Sequence, residues 1–373
     1  HDIAAVETAL RRARSLDQPV LVHVITEKGR GYTPAEENIA DRFHAVGPIH
    51  PETGLPVAPE RFGFTSVFAD EIRSLAATRE DIVGITAAMM QPVGLGPMHE
   101  AFPGRVIDVG IAEAEAVTSA AGMAYEGAHP VVALYATFLN RGFDQLLMDV
   151  ALHRAGVTFI LDRAGITGSD GASHNGVWDI AMCSLIPGLR LAAPRDEDTL
   201  REELREAISV DDAPTVLRYR KGALPEPMPA LRRVGDVDVL LDEEVAPCRA
   251  RVLIVGTGAC VPDAITAARR LIDDGISVTV VDPRWLVPIS PDLASLALGF
   301  DAVIAVEDGI VQGGFGWALR DSLFDAGIPV RCLGVPQVLP EHGDRSEMIK
   351  DFGYDADGIE AAVRAQVERL ARC

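Results

Sequence analysis

The 373-residue sequence predicts an α/β protein with two doubly wound parallel-sheet domains and a remnant of a third. Three observations predict it. From residue 64 onward, short β-branched runs alternate with segments of helical periodicity, the rhythm of βα units stacked on a parallel sheet. A stretch with three prolines, 223–236, cuts that series in two. The front carries a single helix–strand unit, too little to bury its own apolar residues.

Ile3, Val6, Ala9, Leu10 and Ala13 share one stripe, which predicts a helix over Ile3–Ser15 that Pro19 ends. Val20–Thr26 is nearly continuous and apolar, the pattern of a parallel strand covered on both faces. One neighbouring helix cannot cover it, so residues 1–30 read as the last helix–strand unit of a domain whose body lies elsewhere. Residues 31–61, rich in glycine, proline and charge, read as a connection. The domain at 62–228 is predicted to hold strands Ile82–Thr86, Val106–Val109, Val131–Tyr135, Thr158–Leu161 and Thr215–Arg218, with helices 64–77, 113–125, 141–153 and 197–208. The domain at 229–373 is predicted to hold strands Val252–Val255, Val278–Val281, Ala302–Val306 and Val330–Leu333, with helices 261–273, 315–325 and 356–371.

Charge and cysteine usage narrow the function. With 34 basic and 55 acidic side chains the formal charge is −21, which argues against nucleic acid as a main partner. An anionic small substrate then needs cations gathered locally. The five cysteines show no CxxC spacing, so reduced thiols and a cytoplasmic setting are expected, without a disulfide framework or zinc site. No stretch reaches the roughly 18 uncharged apolar residues of a membrane span. The first residue is His1 rather than Met, so a processed or truncated chain is expected.

Three strand ends carry the residues with chemistry. Asp108-Val109-Gly110-Ile111-Ala112-Glu113 puts a carboxylate at the opening of a helix, where the helix dipole alone would favour it. Tyr135-Ala136-Thr137-Phe138-Leu139-Asn140-Arg141 puts an aromatic and a cation at the sheet edge where open α/β sheets bind ligands. Core packing of Phe138, and an ion pair of Arg141 with Asp144 or Asp149, are the plainer readings. Asp162-Arg163-Ala164-Gly165, followed by Asp170-Gly171-Ala172-Ser173-His174, is a glycine-rich loop holding Arg, Asp and His, although glycine, serine and aspartate are also ordinary turn formers.

Taken together, and with Thr26 to Glu36, Phe43-His44-Ala45-Val46, Gly313-Gly314-Phe315-Gly316 and Pro336 to Gly343, these segments resemble the 1-deoxy-D-xylulose 5-phosphate synthase family of transketolase-like thiamine-diphosphate enzymes. The resemblance runs along the whole chain. It implies that 62–228 is a pyrimidine-binding domain, that 229–373 is a transketolase C-terminal domain supporting a homodimer, and that 1–30 ends a diphosphate-binding domain. It implies that Glu113 bonds the cofactor's aminopyrimidine, with Phe138 and Ile111 against the ring. His44, His174 and Asp170 would handle protons and polar contacts at the reacting carbonyls. Tyr135, Arg163, Lys221 and Arg141 would hold or support the phosphate of the aldehyde. The implied substrates are pyruvate and D-glyceraldehyde 3-phosphate, and the implied cofactors are thiamine diphosphate and Mg2+.

Two departures stand out. Ala114-Glu115 replaces a Gln-His pair common in the family, putting a second carboxylate near Glu113. Because positions i and i+2 do not share a helix face, Glu115 is expected to point outward. Arg220-Lys221 stands where Pro-Arg is common, which keeps a charge but loses the guanidinium fork. No Gly-Asp-Gly followed by a suitably placed Asn is present, so the metal ligands are expected outside this chain. They would lie on a longer form of the protein or on a separate subunit of a split enzyme. A transketolase, a 2-oxoacid dehydrogenase β-type subunit, or a non-catalytic assembly module are the other readings.

Overall fold

The computed structural model describes residues 1–38, 42–44, 46–57 and 63–372, and the chain divides into two compact units, 1–60 and 61–373. In the first unit a helix spans Ile3–Arg14, capped by Asp2 accepting from the Ala5 amide, and no residue of it is buried. Residues 20–26 form no strand, which corrects the expectation from their apolar run. A strand needs a hydrogen-bonded neighbour, and none is present among the described residues. Leu21 and Ile25 are 93% and 82% exposed. Tyr32 and Phe43 pack with their rings tilted at 59° and their centroids 5.9 Å apart. Ala45, part of one family-like motif, lies outside the described residues.

The second unit carries two sheets among the described residues. Strands are β1 (Ile82–Thr86), β2 (Val106–Asp108), β3 (His129–Tyr135), β4 (Thr158–Asp162), β5 (Arg190–Ala192), β6 (Thr215–Tyr219), β7 (Arg232–Val234), β8 (Val237–Glu243), β9 (Arg251–Gly256), β10 (Ser277–Asp282), β11 (Trp285–Val287), β12 (Ala302–Ile310) and β13 (Val330–Val335). The first sheet runs β11-β5-β6-β4-β3-β1-β2 and the second β13-β12-β9-β10-β8-β7. Pairing is parallel except at β11, β8 and β7. β3 and β4 are buried almost throughout, as expected of strands covered by helices on both faces. No helix is long and apolar enough to cross a membrane among the described residues.

Two sequence expectations are adjusted. The predicted helix 141–153 is a 3-10 turn over Ala136–Gly142, one α-turn and a π-helical stretch over Leu146–Ala151. Gly142 lets this segment sit close, since a Cβ there would lie 2.8 Å from the Val117 side chain. The supposed linker 223–236 contains β7, which pairs antiparallel with β8.

Ion pairs buried between elements join the two sheets. Arg218, on β6, donates from Nε to Asp179 at 2.6 Å and from Nη1 to Asp308 on β12. Arg195 donates to Asp238 on β8 at 2.7 Å and to Asp282 on β10 at 2.9 Å. β11, contributed by the C-terminal half of the chain, pairs with β5 and extends the first sheet.

At the end of β4 the carboxylate of Asp162 is fully buried and accepts from the Thr65 hydroxyl at 2.5 Å. Burial pushes its pKa up to about 6, against the opposing pull of the Thr65 hydrogen bond and the Arg163 charge.

Replacing Arg218 with Met would leave Asp179 and Asp308 buried without their cation. Stability measured by urea denaturation near neutral pH is expected to fall by about 3–5 kcal/mol. A loss within the scatter of surface substitutions would contradict the clamp. Asp162 makes a second, pH-linked prediction. Its folded pKa of about 6 lies above the ordinary 3.8, so the fold favours the protonated carboxyl, and this contribution is lost as pH rises from about 4 through 6. Asp162→Asn should therefore gain on the wild type by on the order of 3 kcal/mol over that window. Parallel stability–pH curves would refute it.

Candidate active site

The site is built at the carboxyl ends of β2, β3, β4 and β6. Order in the first sheet reverses between β1 and β3, because the chain runs outward to β2 and then returns across β1 to β3 and β4. Residues following β2 and β3 therefore lie at that switch point, the place where open α/β sheets bind ligands. Register puts Tyr135, Asp162 and Tyr219 side by side at the ends of β3, β4 and β6.

Glu113 opens the helix Glu113–Tyr125 and is 4% exposed. Its approach is the turn Gly110-Ile111-Ala112, where Gly110 has φ +74°, a left-handed conformation that favours glycine. Ile111 is 80% exposed beside it. The Glu113 carboxylate accepts from Arg141 Nη1 at 2.9 Å. Arg141 thus pairs with the site carboxylate, and neither Asp144 nor Asp149 is its salt-bridge partner. Glu115 is exposed and accepts from the Ser119 hydroxyl at 2.8 Å, so it points outward as its spacing implied.

From Arg141 a row of contacts runs across the strand ends. Its guanidinium lies 4.9 Å from the Phe138 centroid. Phe138 stacks on Tyr135, centroids 6.0 Å apart, and meets His174 edge-on at 5.7 Å. Arg163 lies over the other ring of the pair, 4.1 Å from the Tyr135 centroid. Arg163 itself has φ +60°, a strained conformation for a residue with a side chain, and it is the kind of strain found at functional loops. Asp170 joins the two cations at the far end: Arg163 donates to it at 3.3 Å and Lys221 at 2.5 Å. His174 shares a hydrogen bond with the Ser173 hydroxyl through Nδ1, at 3.0 Å.

The structure therefore brings together Glu113, Tyr135, Phe138, Arg141, Arg163, Asp170, His174 and Lys221, with Ile111 at the rim. His44 belongs to the first compact unit, where it is exposed; the constellation is built from the second alone. Arg220 takes no part in it: its guanidinium donates to the Ala223 carbonyl at 3.0 Å, and burial lowers its pKa. Gly313-Gly314-Phe315-Gly316 forms no anion loop, because the amides of Phe315 and Gly316 point at the protein's own buried carboxylate, Glu307, at 3.0 and 2.9 Å. Sequence reading missed Asn175, which is buried next to His174 and ties the loop both to itself and to the second sheet's domain. Its position directly after the Asp170–His174 motif was a signal; its partner at Pro340 was not visible. A groove of about 670 Å3 lined by Leu147, Met148 and Leu152 holds none of the site residues.

The arrangement offers a buried carboxylate able to bond a ring nitrogen, an aromatic face beside it, an imidazole, and two cations bridged by one carboxylate. That donor set fits an aminopyrimidine ring at one end and an anionic group at the other. Among the described residues no cluster of His, Cys, Asp or Glu could hold a metal ion.

Residues 61–227 match the transketolase pyrimidine-binding domain and residues 244–359 the transketolase C-terminal domain. The chain is 54% identical over 372 residues to a 1-deoxy-D-xylulose-5-phosphate synthase of Streptomyces griseus, covering 99% of this chain and 58% of that protein. It is 51% identical over 374 residues to one from Corynebacterium glutamicum, of which it covers 59%. It therefore spans a little over half the length of these relatives. Among solved structures, a split-gene transketolase described as an inactive β4 tetramer superposes with a TM-score of 0.70 at 26% identity, covering 81% of this chain and 97% of that one. A transketolase from Campylobacter jejuni, at 18% identity, shares the fold with a TM-score of 0.66 over 80% of this chain and 46% of its own. With both domain types present and similarity to these synthases running along its whole length, the chain belongs to the transketolase family.

Proposed function

We propose that this chain supplies the pyrimidine-binding and acceptor-binding part of a carboligase that decarboxylates pyruvate. The enzyme would join the two-carbon unit to D-glyceraldehyde 3-phosphate, giving 1-deoxy-D-xylulose 5-phosphate and CO2. The observation that carries this reading is the unbroken row from buried Glu113 to the Asp170-bridged cations Arg163 and Lys221. Glu113 and the Arg163–Lys221 pair stand at opposite ends of that row, which supports a cofactor end and a phosphate end.

Thiamine diphosphate, when bound, supplies the nucleophilic carbon and the electron sink for decarboxylation. Glu113 would share with a ring nitrogen of the aminopyrimidine a proton that it supplies to that nitrogen, in a water-poor setting, with Arg141 limiting the cost of a buried charge. Phe138 and Ile111 would cover the ring's faces. His174 would hand a proton to the acceptor's carbonyl oxygen, oriented by Ser173 on its other nitrogen. Arg163 and Lys221 would receive the acceptor phosphate, exchanging their bonds to Asp170 for charge-assisted bonds to the phosphate oxygens. For His44, in the first unit, the proton-handling role rests on the resemblance alone. Mg2+ and the cofactor diphosphate would be held by a domain beyond this chain, to which the helix and apolar run of 1–30 would belong, within a homodimer or an assembly with a separate subunit. The unpaired thiols suit a cytoplasmic enzyme.

The test is turnover of pyruvate and D-glyceraldehyde 3-phosphate, followed by CO2 release and product NMR, in the protein with its diphosphate-binding domain present. Glu113→Gln is expected to lower kcat by at least about 100-fold. Retained turnover in that variant would remove Glu113 from the mechanism. Lys221→Ala should raise KM for the phosphorylated aldehyde by about ten- to a hundredfold, as loss of a charged hydrogen bond worth ~1.5–3 kcal/mol implies. An unchanged KM would move the phosphate elsewhere.

A further inference from the structure

The loop bearing Arg163, Asp170 and His174 belongs to the first sheet, yet much of its shape is set by the domain of the second. Asn175 is buried at 1% exposure and uses both ends of its amide. Its Oδ1 accepts from the Thr167 amide at 2.9 Å, the Thr167 hydroxyl at 3.2 Å and the Gly168 amide at 3.4 Å, closing the loop on itself. Its Nδ2 donates to the carbonyl of Pro340 at 3.2 Å. Arg345 donates from Nε to the Ile166 carbonyl at 3.0 Å. The loop lies flush on this surface: a Cβ at Gly165 would sit 2.3 Å from Asp308 Oδ2, and one at Gly168 would sit 2.8 Å from the Gly343 carbonyl. Gly165 and Gly176 exchange both of their backbone hydrogen bonds across the base of the loop. Its tip carries Asp170 and His174 and faces the site, where Asp170 accepts from Arg163 and Lys221 and the Ser173 carbonyl accepts from the Thr137 hydroxyl at 2.9 Å.

We propose that Asn175 is a positioning residue for the acceptor site, through which the C-terminal domain holds the Asp170–His174 loop in the geometry that receives the substrate phosphate. This rests on the reading of the site given above. Breaking the Pro340 bond frees the back of the loop, moves Asp170 relative to Arg163 and Lys221, and so weakens selection for a phosphorylated acceptor over its unphosphorylated analogue. The C-terminal domain then takes part in substrate choice while touching no substrate.

Asn175→Asp separates the two ends of the amide. A carboxylate still accepts from Thr167 and Gly168, but it has no N–H for Pro340 and meets a carbonyl oxygen instead. Two readouts are compared for wild type, Asn175→Asp, Asn175→Ala and Arg345→Gln in the protein that carries this chain with its diphosphate-binding domain. One is the ratio of kcat/KM for D-glyceraldehyde 3-phosphate over D-glyceraldehyde; the other is amide hydrogen exchange of residues 163–176. The proposal expects Asn175→Asp to behave like Asn175→Ala, with faster exchange in the loop, unchanged exchange in β3 and β4, and a preference lowered by at least about tenfold, mainly through KM. Arg345→Gln should shift both readouts in the same direction. Wild-type preference and exchange in Asn175→Asp would overturn it, as would loss of kcat with the preference intact, which a structural role alone would give. Should the wild type turn over neither aldehyde, the proposed reaction fails, and faster loop exchange in Asn175→Asp would still uphold the clasp while unchanged exchange would sink it.

Discussion

Arg218 is where the architecture and the site depend on the same interaction. It leaves β6 of the first sheet, is 2% exposed, and is bonded to Asp179 on its own domain and Asp308 on β12 of the other. A buried guanidinium is tolerable only with carboxylates in reach, and buried carboxylates only with the guanidinium. Each partner therefore dictates the position of the others. The same Asp308 closes against Gly165, at the root of the loop that carries Arg163, Asp170 and His174. Joining the sheets and shaping the site loop are, on this account, one constraint.

Around that anchor the site follows from sheet geometry. Parallel strands end together, so residues distant in sequence arrive in one row: the carboxylate after β2, the aromatic pair and cation after β3, the Arg163 loop after β4 and Lys221 after β6. The charges in the row are balanced locally, Glu113 by Arg141 and Asp170 by Arg163 and Lys221. A chain with a formal charge of −21 can thus gather cations for an anionic substrate without exposing an unbalanced basic patch. Asp170 occupies both Arg163 and Lys221 at once and so serves as their internal counter-anion.

Much of this was legible in the sequence, and what was not has a common cause. Val131–Tyr135 and Thr158–Leu161 read as strands because buried parallel strands are continuous apolar runs, and Ala116, Ala120 and Ala121 sit on the buried face of a helix that begins at Glu113 as read. Glu115 was placed outward by helix geometry alone. Local pattern failed where long-range partners decide. Val20–Thr26 has strand character but no neighbour to pair with among the described residues, so it forms no regular element and is mostly exposed. The segment after Arg141 has helical periodicity, yet close approach of Gly142 to Val117 is accompanied by a 3-10 turn and a π stretch. Arg141 was read against its neighbours Asp144 and Asp149, while its actual partner lies 28 residues earlier. Asn175 and Arg345 gain their meaning from contacts 165 and 179 positions away, which no window on the sequence contains.

The most direct test of the central claim is a crystal structure of the protein, diphosphate-binding domain included, with D-glyceraldehyde 3-phosphate bound. The account predicts phosphate density within hydrogen-bond distance of both Arg163 and Lys221, with the aldehyde directed past His174 toward Glu113 and Phe138. Phosphate bound away from these two cations, with their bonds to Asp170 unbroken, would contradict it.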